Sequence, residues 1–290
     1  SMLKGDPNKK YVFGVDPASE VDNFSIVVIE LNGDHRRIVH CWTTTRKQHK
    51  EKLKSKLVTE DDFYSYCAKK IRQLMKAFPC VEIAIDAQGG GIAVVEALQD
   101  RDKIGEGEVQ IWPVIEEKEK DTDYNPGLHM LKLCQFAKAD WLAEANHGLR
   151  KDFEDKVVLF PFFDTASIGL SIEADKASGK KYDTLEDCVM EIEELKDELS
   201  MIVMTQTSTG RERWDTPEVK LGAGKKSRLR KDRYSALIMA NMSARHYTVQ
   251  AVQEELEVGG FASMNSSRFD NSGKMYNAPS WFADKVQNIY

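Results

Sequence analysis

The chain has 290 residues, of which 41% are hydrophobic and 30% charged, a composition suited to one large core or two small ones and unlike a disordered or fibrous chain. No apolar run reaches the roughly 18 residues of a membrane span, and the opening residues Ser1 to Asp6 lack the apolar stretch of a signal peptide. The net charge of −6 does not by itself point to nucleic acid, although its distribution is uneven.

In chain order, Tyr11–Asp16, Phe24–Leu31 and Arg37–Thr43 read as three strands. The turn Asn32-Gly33-Asp34 between the last two permits an antiparallel meander. Phe63, Tyr66, Cys67, Ile71, Leu74 and Phe78 lie on one face of a helix over 61–78, which Pro79 stops. Val81–Asp86 is a short buried strand, and Gly89-Gly90-Gly91 turns it into a helix running to Gln99. Val109–Val114 is a further strand. Leu128–Leu149 reads as one helix, and Lys156–Phe160 as a strand.

The spacing of Leu185, Cys188, Val189, Ile192, Leu195 and Leu199 predicts a helix over 185–199. Thr184 and Asp187 form a capping-box pattern at its start. Its opposite face, from Glu186 through Glu191 to Glu198, reads as solvated. Met201–Thr207 and Arg211–Trp214 are strands, and Arg230–Gln250 is the last long helix. The expected organisation is a linker over 1–7, a domain over 8–254 and a flexible or partner-dependent tail over 255–290, rich in Gly, Asn and Ser. Ser1 ahead of Met2 reads as a remnant of cloning, so the chain is expected to be part of a longer protein. The five cysteines are scattered without a C-x-x-C pair, which favours small core residues in a reducing compartment over a zinc site or disulfides.

Strand meander, helix, strand, helix, strand and then helices describe a mixed α/β sheet with helices on both faces. Sites in such sheets lie at the carboxyl ends of strands, where Asp16 and Asp86 both fall; Pro17 keeps Asp16 extended. Asp232 begins a helix within a basic segment that includes Lys225, Lys226, Arg228, Arg230, Lys231 and Arg233. Each aspartate alone also fits a turn or a helix start. Converging, the three carboxylates repel one another unless a divalent cation lies between them, and hard oxygen ligands suit Mg²⁺ or Mn²⁺. Asp22 is a candidate fourth ligand or a turn residue. The basic residues are candidates for DNA-backbone contacts that position a duplex without reading its sequence. No Walker, H-E-x-x-H or G-x-S-x-G motif is present, and the glycines after Asp86 do not make a dinucleotide fingerprint.

In their order and spacing, four segments resemble the nuclease domain of bacteriophage large terminase subunits, the DNA-packaging motor proteins. They are Phe13-Gly14-Val15-Asp16-Pro17-Ala18, Ile83-Ala84-Ile85-Asp86-Ala87-Gln88-Gly89-Gly90-Gly91, Glu194-Leu195-Lys196-Asp197-Glu198-Leu199 and Lys231-Asp232-Arg233-Tyr234-Ser235-Ala236-Leu237. The resemblance covers residues 8–250. It implies a ribonuclease-H-like, retroviral-integrase-like fold and cleavage of double-stranded DNA with two divalent ions about 4 Å apart. The family's acidic positions then fall on Asp16, Asp86 and Asp232. It further implies an ATPase domain, a small terminase subunit and a portal as partners, in the host bacterial cytoplasm and away from membranes. The missing Walker motif fits an isolated domain. Other readings are a Holliday-junction-resolvase-like nuclease, an actin-like ATPase or sugar kinase (disfavoured by Pro17-Ala18-Ser19-Glu20), and a non-catalytic DNA-binding or assembly module.

Overall fold

The computed structural model describes residues 3–17, 23–115, 125–136, 138–208, 210–221 and 225–247, and side chains throughout these except at 219–228. The expected boundary at 254 and the tail 255–290 lie outside the described residues.

Seven strands form one sheet: β1 (Lys10–Asp16), β2 (Phe24–Asn32), β3 (His35–Thr44), β4 (Cys80–Asp86), β5 (Ile111–Pro113), β6 (Leu128–Cys134) and β7 (Val158–Leu159), in the order β5-β6-β4-β1-β2-β3-β7. The first three make the expected antiparallel meander, turned at Gly33 with φ of +58°. β4 runs parallel to β1 and to β6, so the carboxyl ends of β1, β4 and β6 share one edge.

Side-chain alternation divides the strands between two faces. Tyr11, Phe13 and Val15 of β1, with Ile83 and Ile85 of β4, enter the main core against α2 (Phe63–Ala77) and α3 (Gly90–Gln99). The alternate residues Gly14 and Ala84 face the opposite side, where the helix over residues 232–247, α7 in chain order, lies against them. There Met239 joins Ala84 and Cys134 in a smaller buried cluster, with Trp141 of α4 (Ala139–Glu154) packed on it. This is the expected mixed α/β sheet with helices on both faces.

The sheet accounts for one departure from the sequence reading. Leu128–Leu149 is not one helix: its first seven residues are β6, and α4 starts at Ala139. Leu, Met and Lys are good helix formers, but the slot between β4 and β5 buries Met130, Leu131 and Cys134, and tertiary pairing outweighs propensity. Two helices are additional to the expected elements, α1 (Arg46–Lys54) and α5 (Thr165–Ser178). α6 (Leu185–Met201) carries the expected capping box between Thr184 and Asp187. β8 (Val203–Gln206) and β9 (Glu212–Asp215) pair as a hairpin, and the basic segment forms another, β10 (Glu218–Leu221) with β11 (Lys225–Arg228). Cys41, Cys67, Cys134 and Cys188 are buried, as expected of core cysteines.

Candidate metal centre

Val15 of β1 pairs with Ile85 of β4, so Asp16 and Asp86 follow side by side at the carboxyl ends of two parallel neighbours, strands roughly 4.8 Å apart. Each is two residues beyond a position that faces α7, Gly14 in one strand and Ala84 in the other. Both carboxylates therefore emerge on that face, and both are half-buried.

Two glycines bring the helices close enough to frame them. A Cβ on Gly91 would stand 1.7 Å from the Asp86 carbonyl oxygen and 3.3 Å from Pro17 Cγ. The start of α3 thus packs directly on the turns that follow both aspartates. A Cβ on Gly14 would stand 1.9 Å from the Ala236 carbonyl oxygen and 2.8 Å from Ala240 Cβ, so α7 lies flush on β1. Asp232 is one helical turn before Ala236. Its carboxylate oxygen Oδ2 accepts the Asn23 backbone N–H at 3.0 Å, and Asn23 lies two residues before Ser25, the register partner of Asp16. The third aspartate thereby comes to the same edge and the same face as the first two.

The start of α7 is held from several sides. Arg230 Nη1 donates to Asn23 Oδ1 at 2.6 Å, and Lys231 Nζ donates to the Trp214 carbonyl at 2.9 Å beside Asp215. Arg233 is buried, donating to Glu191 and Glu198 of α6, both at 2.7 Å; Glu198 also accepts the Tyr234 N–H at 2.8 Å. Burial pushes the Glu198 carboxyl up to about 7, against the pull of the Tyr234 N–H and of Arg233. Glu191 and Glu198, expected on a solvated face, instead anchor α7. The sequence offered no signal for this, since they stand in an acidic run like any exposed helix face. Gly14 and Asn23 were equally silent, because each matters only through a helix packed from a distant segment.

Of the expected DNA contacts, Arg233 is a positioning group, inward and paired. Arg230 and Lys231 stand at the α7 start with the bonds given above. Lys225, Lys226 and Arg228 lie on β11, three to six residues before Lys231, with their side chains outside the described residues. Asp22 is also outside them.

Burial pushes the Asp86 carboxyl above the usual carboxylate range, and only the Gln88 N–H, 3.3 Å from its Oδ1, pulls it back. Among the described residues no charged neighbour offsets that burial, and a cation would. Among the described residues no group of three or more His, Cys, Asp and Glu side chains is arranged to hold an ion. The donor chemistry still fits a hard divalent cation: oxygen-only ligands at adjacent strand ends, one of them raised by desolvation alone.

No protein-family model matches the sequence, and no curated protein does. Among solved structures, the chain is similar to the large terminase nuclease from thermophilic phage G20c, at 12% identity over 82% of this chain and 83% of that one, with a TM-score of 0.47. A structure of that nuclease with bound magnesium gives 12% identity, 82% and 84% coverage and a TM-score of 0.49. The HK97 bacteriophage large terminase gives 14% identity and a TM-score of 0.46, with 82% of this chain matching 40% of that longer one. The likeness is one of fold. Among the described residues no helix is long and apolar enough to cross a membrane.

Proposed function

We propose that this chain is a divalent-metal-dependent endonuclease that hydrolyses double-stranded DNA, serving as the nuclease domain of a viral DNA-packaging terminase. The observation that carries the reading is the register of β1 against β4, which sets Asp16 beside Asp86 on the face that also receives Asp232. The sequence motifs around those three aspartates point the same way. Asp16, on the strand between the other two contacts, would hold both ions; Asp86 and Asp232 would each complete the ligands of one. A divalent ion held there would supply Lewis acidity to an attacking water and to the departing 3′ oxygen, and the resemblance implies 5′-phosphate and 3′-hydroxyl ends.

The protein's own groups supply placement. Gly14 and Gly91 let α7 and α3 close on the aspartates, and the Arg233–Glu198 pair with the Arg230–Asn23 bond fixes where Asp232 stands. The β10–β11 hairpin carries Lys225, Lys226 and Arg228 up to that same helix start, so a duplex held there by its phosphates lies beside the carboxylates. In a packaging machine the chain would act with an ATPase motor, a small subunit and a portal.

The test is cleavage of supercoiled plasmid with Mg²⁺, with Mn²⁺ and with EDTA, comparing wild type with folded Asp16→Ala. Metal-dependent nicking and linearisation that disappears in the variant supports the assignment. Cleavage that persists in the variant, or none with either metal, removes it.

A further inference from the structure

A second cleft lies on the α2 side of the sheet, the opposite face from Asp16 and Asp86. The end of α1 and residues 55–60 form one wall, α2 another, and the 179–183 connection between α5 and α6 a third. It encloses about 720 Å³, the size of a small-molecule site. Its charge is lopsided. Lys52, Lys69, Lys70, Lys180 and Lys181 line it, against the carboxylates of Glu60 and Asp183. Lys69 pairs with Glu60, and Lys70 pairs with Asp183 at 2.9 Å. Lys52, Lys180 and Lys181 have no carboxylate at ion-pair distance among the described residues.

Lys52 is the most informative of these. It is only 8% exposed, yet its ammonium donates to the Tyr66 hydroxyl at 3.0 Å and otherwise faces the rings of Tyr66 and Tyr182, at 5.6 and 4.7 Å. A charge taken out of water onto a hydroxyl and two aromatic rings is incompletely compensated, and an anion in the cleft would complete it. Burial pulls Lys52 below the usual lysine range, with Asp183 opposing.

The walls are held in costly backbone conformations. Lys56 and Asp183, at the two rims, adopt left-handed φ of +55° and +57°, which non-glycine residues rarely do. At Asp183 that geometry lets one carboxylate bind both Lys70 and the Trp42 indole N–H, the latter at 2.7 Å, locking the wall. Tyr182, 41% exposed, presents an aromatic surface at the mouth.

We propose that this cleft binds a phosphate-bearing ligand of nucleotide size, its phosphate received by Lys52, Lys180 and Lys181 and its base laid against Tyr182. That chemistry is shared by a free nucleotide and by the terminal nucleotide of a DNA strand.

Isothermal titration of the full chain with inorganic pyrophosphate, with dAMP and with a 5′-phosphorylated single-stranded decamer distinguishes the two sources. EDTA throughout keeps divalent ions off the carboxylates, so the outcome is independent of the nuclease reading. Saturable binding of dAMP or pyrophosphate marks a free-nucleotide site, and binding of the decamer alone marks a strand end. In either case Lys180→Ala/Lys181→Ala, at exposed positions, weakens binding at least about tenfold, and Lys52→Met does likewise. Should Lys52→Met fail to fold, the exposed pair decides. No saturable binding of any probe, or unchanged affinity in the Lys180/Lys181 variant, overturns the proposal.

Discussion

Gly14→Ala tests how the fold delivers Asp232 to the other aspartates. The new Cβ would stand 1.9 Å from the Ala236 carbonyl oxygen and 2.8 Å from both the Ala240 nitrogen and Cβ. Carbon-to-oxygen contacts begin near 3 Å, so α7 has to move off β1 by about 1 Å. The obstacle is helix backbone, and no side-chain rotation relieves it. Overpacking of this kind costs about 3 kcal/mol, a fall in Tm of about 6–12 °C for a domain of this size. Asp232, one turn from Ala236, travels with the helix and stretches its 3.0 Å bond from Asn23. A misplacement of about 1 Å in such a group lowers a rate on the order of 100-fold. Thermal denaturation and plasmid cleavage under folded conditions read both effects. Ile85→Val, which trims the opposite face of the sheet, is the control: it lowers stability by about 1 kcal/mol and leaves cleavage intact. Unchanged Tm in Gly14→Ala, or lost stability with wild-type cleavage, would refute the idea that this contact positions Asp232.

Asp86→Asn abolishes cleavage but raises the Tm in EDTA by about 1–4 °C. Its folded pKa is raised, so the stability it contributes is present below its unfolded value and lost as pH rises through the folded one; at neutral pH the ionised carboxylate is a burden that Asn removes. A Tm in EDTA at or below that of wild type would contradict this. Arg233→Met strands two carboxylates against α7 and costs about 3–5 kcal/mol in urea denaturation; a loss below 1 kcal/mol would mean the pairs hold nothing. Glu198, raised from 4.5 to about 7, stabilises the fold fully below pH 4.5 and loses that contribution as pH rises through 7. Glu198→Gln should flatten the stability profile across pH 5–7 by on the order of 2 kcal/mol, and a profile of wild-type slope would place the titration elsewhere. Replacing Lys225, Lys226 and Arg228 by alanine should weaken duplex binding and reduce the slope of log K against log salt by about 3; an unchanged slope means these side chains touch no phosphates.

The meander and β4 were legible as short apolar runs such as Tyr11-Val12-Phe13-Gly14-Val15, α3 from the glycine turn before it, and α2 and α6 from three-and-four spacing, as from Phe63 to Phe78. α1 and α5 were not. α1 is nearly all polar, and α5 buries no residue, so neither shows an apolar stripe. β6 was misread because its residues favour a helix until a sheet slot claims them. In the basic segment, β11 consists of Lys, Ser and Arg, with no apolar pattern to mark it as a strand. Asp16 and Asp86 could be picked out at strand ends, but their adjacency depends on the β1–β4 pairing, which no local pattern encodes. Asp232 reaches the same edge only because Gly14 has no side chain, a condition visible once α7 is in place.

The most direct measurement is calorimetric or paramagnetic titration of Mn²⁺ into wild type, Asp16→Ala and Asp86→Ala, each shown to be folded, with a short DNA duplex present to complete the ligand set. If the two strand-end carboxylates hold a common ion, either substitution alone removes a Mn²⁺ binding event that wild type has. Wild-type Mn²⁺ stoichiometry and affinity in both variants would contradict a metal centre at this edge of the sheet.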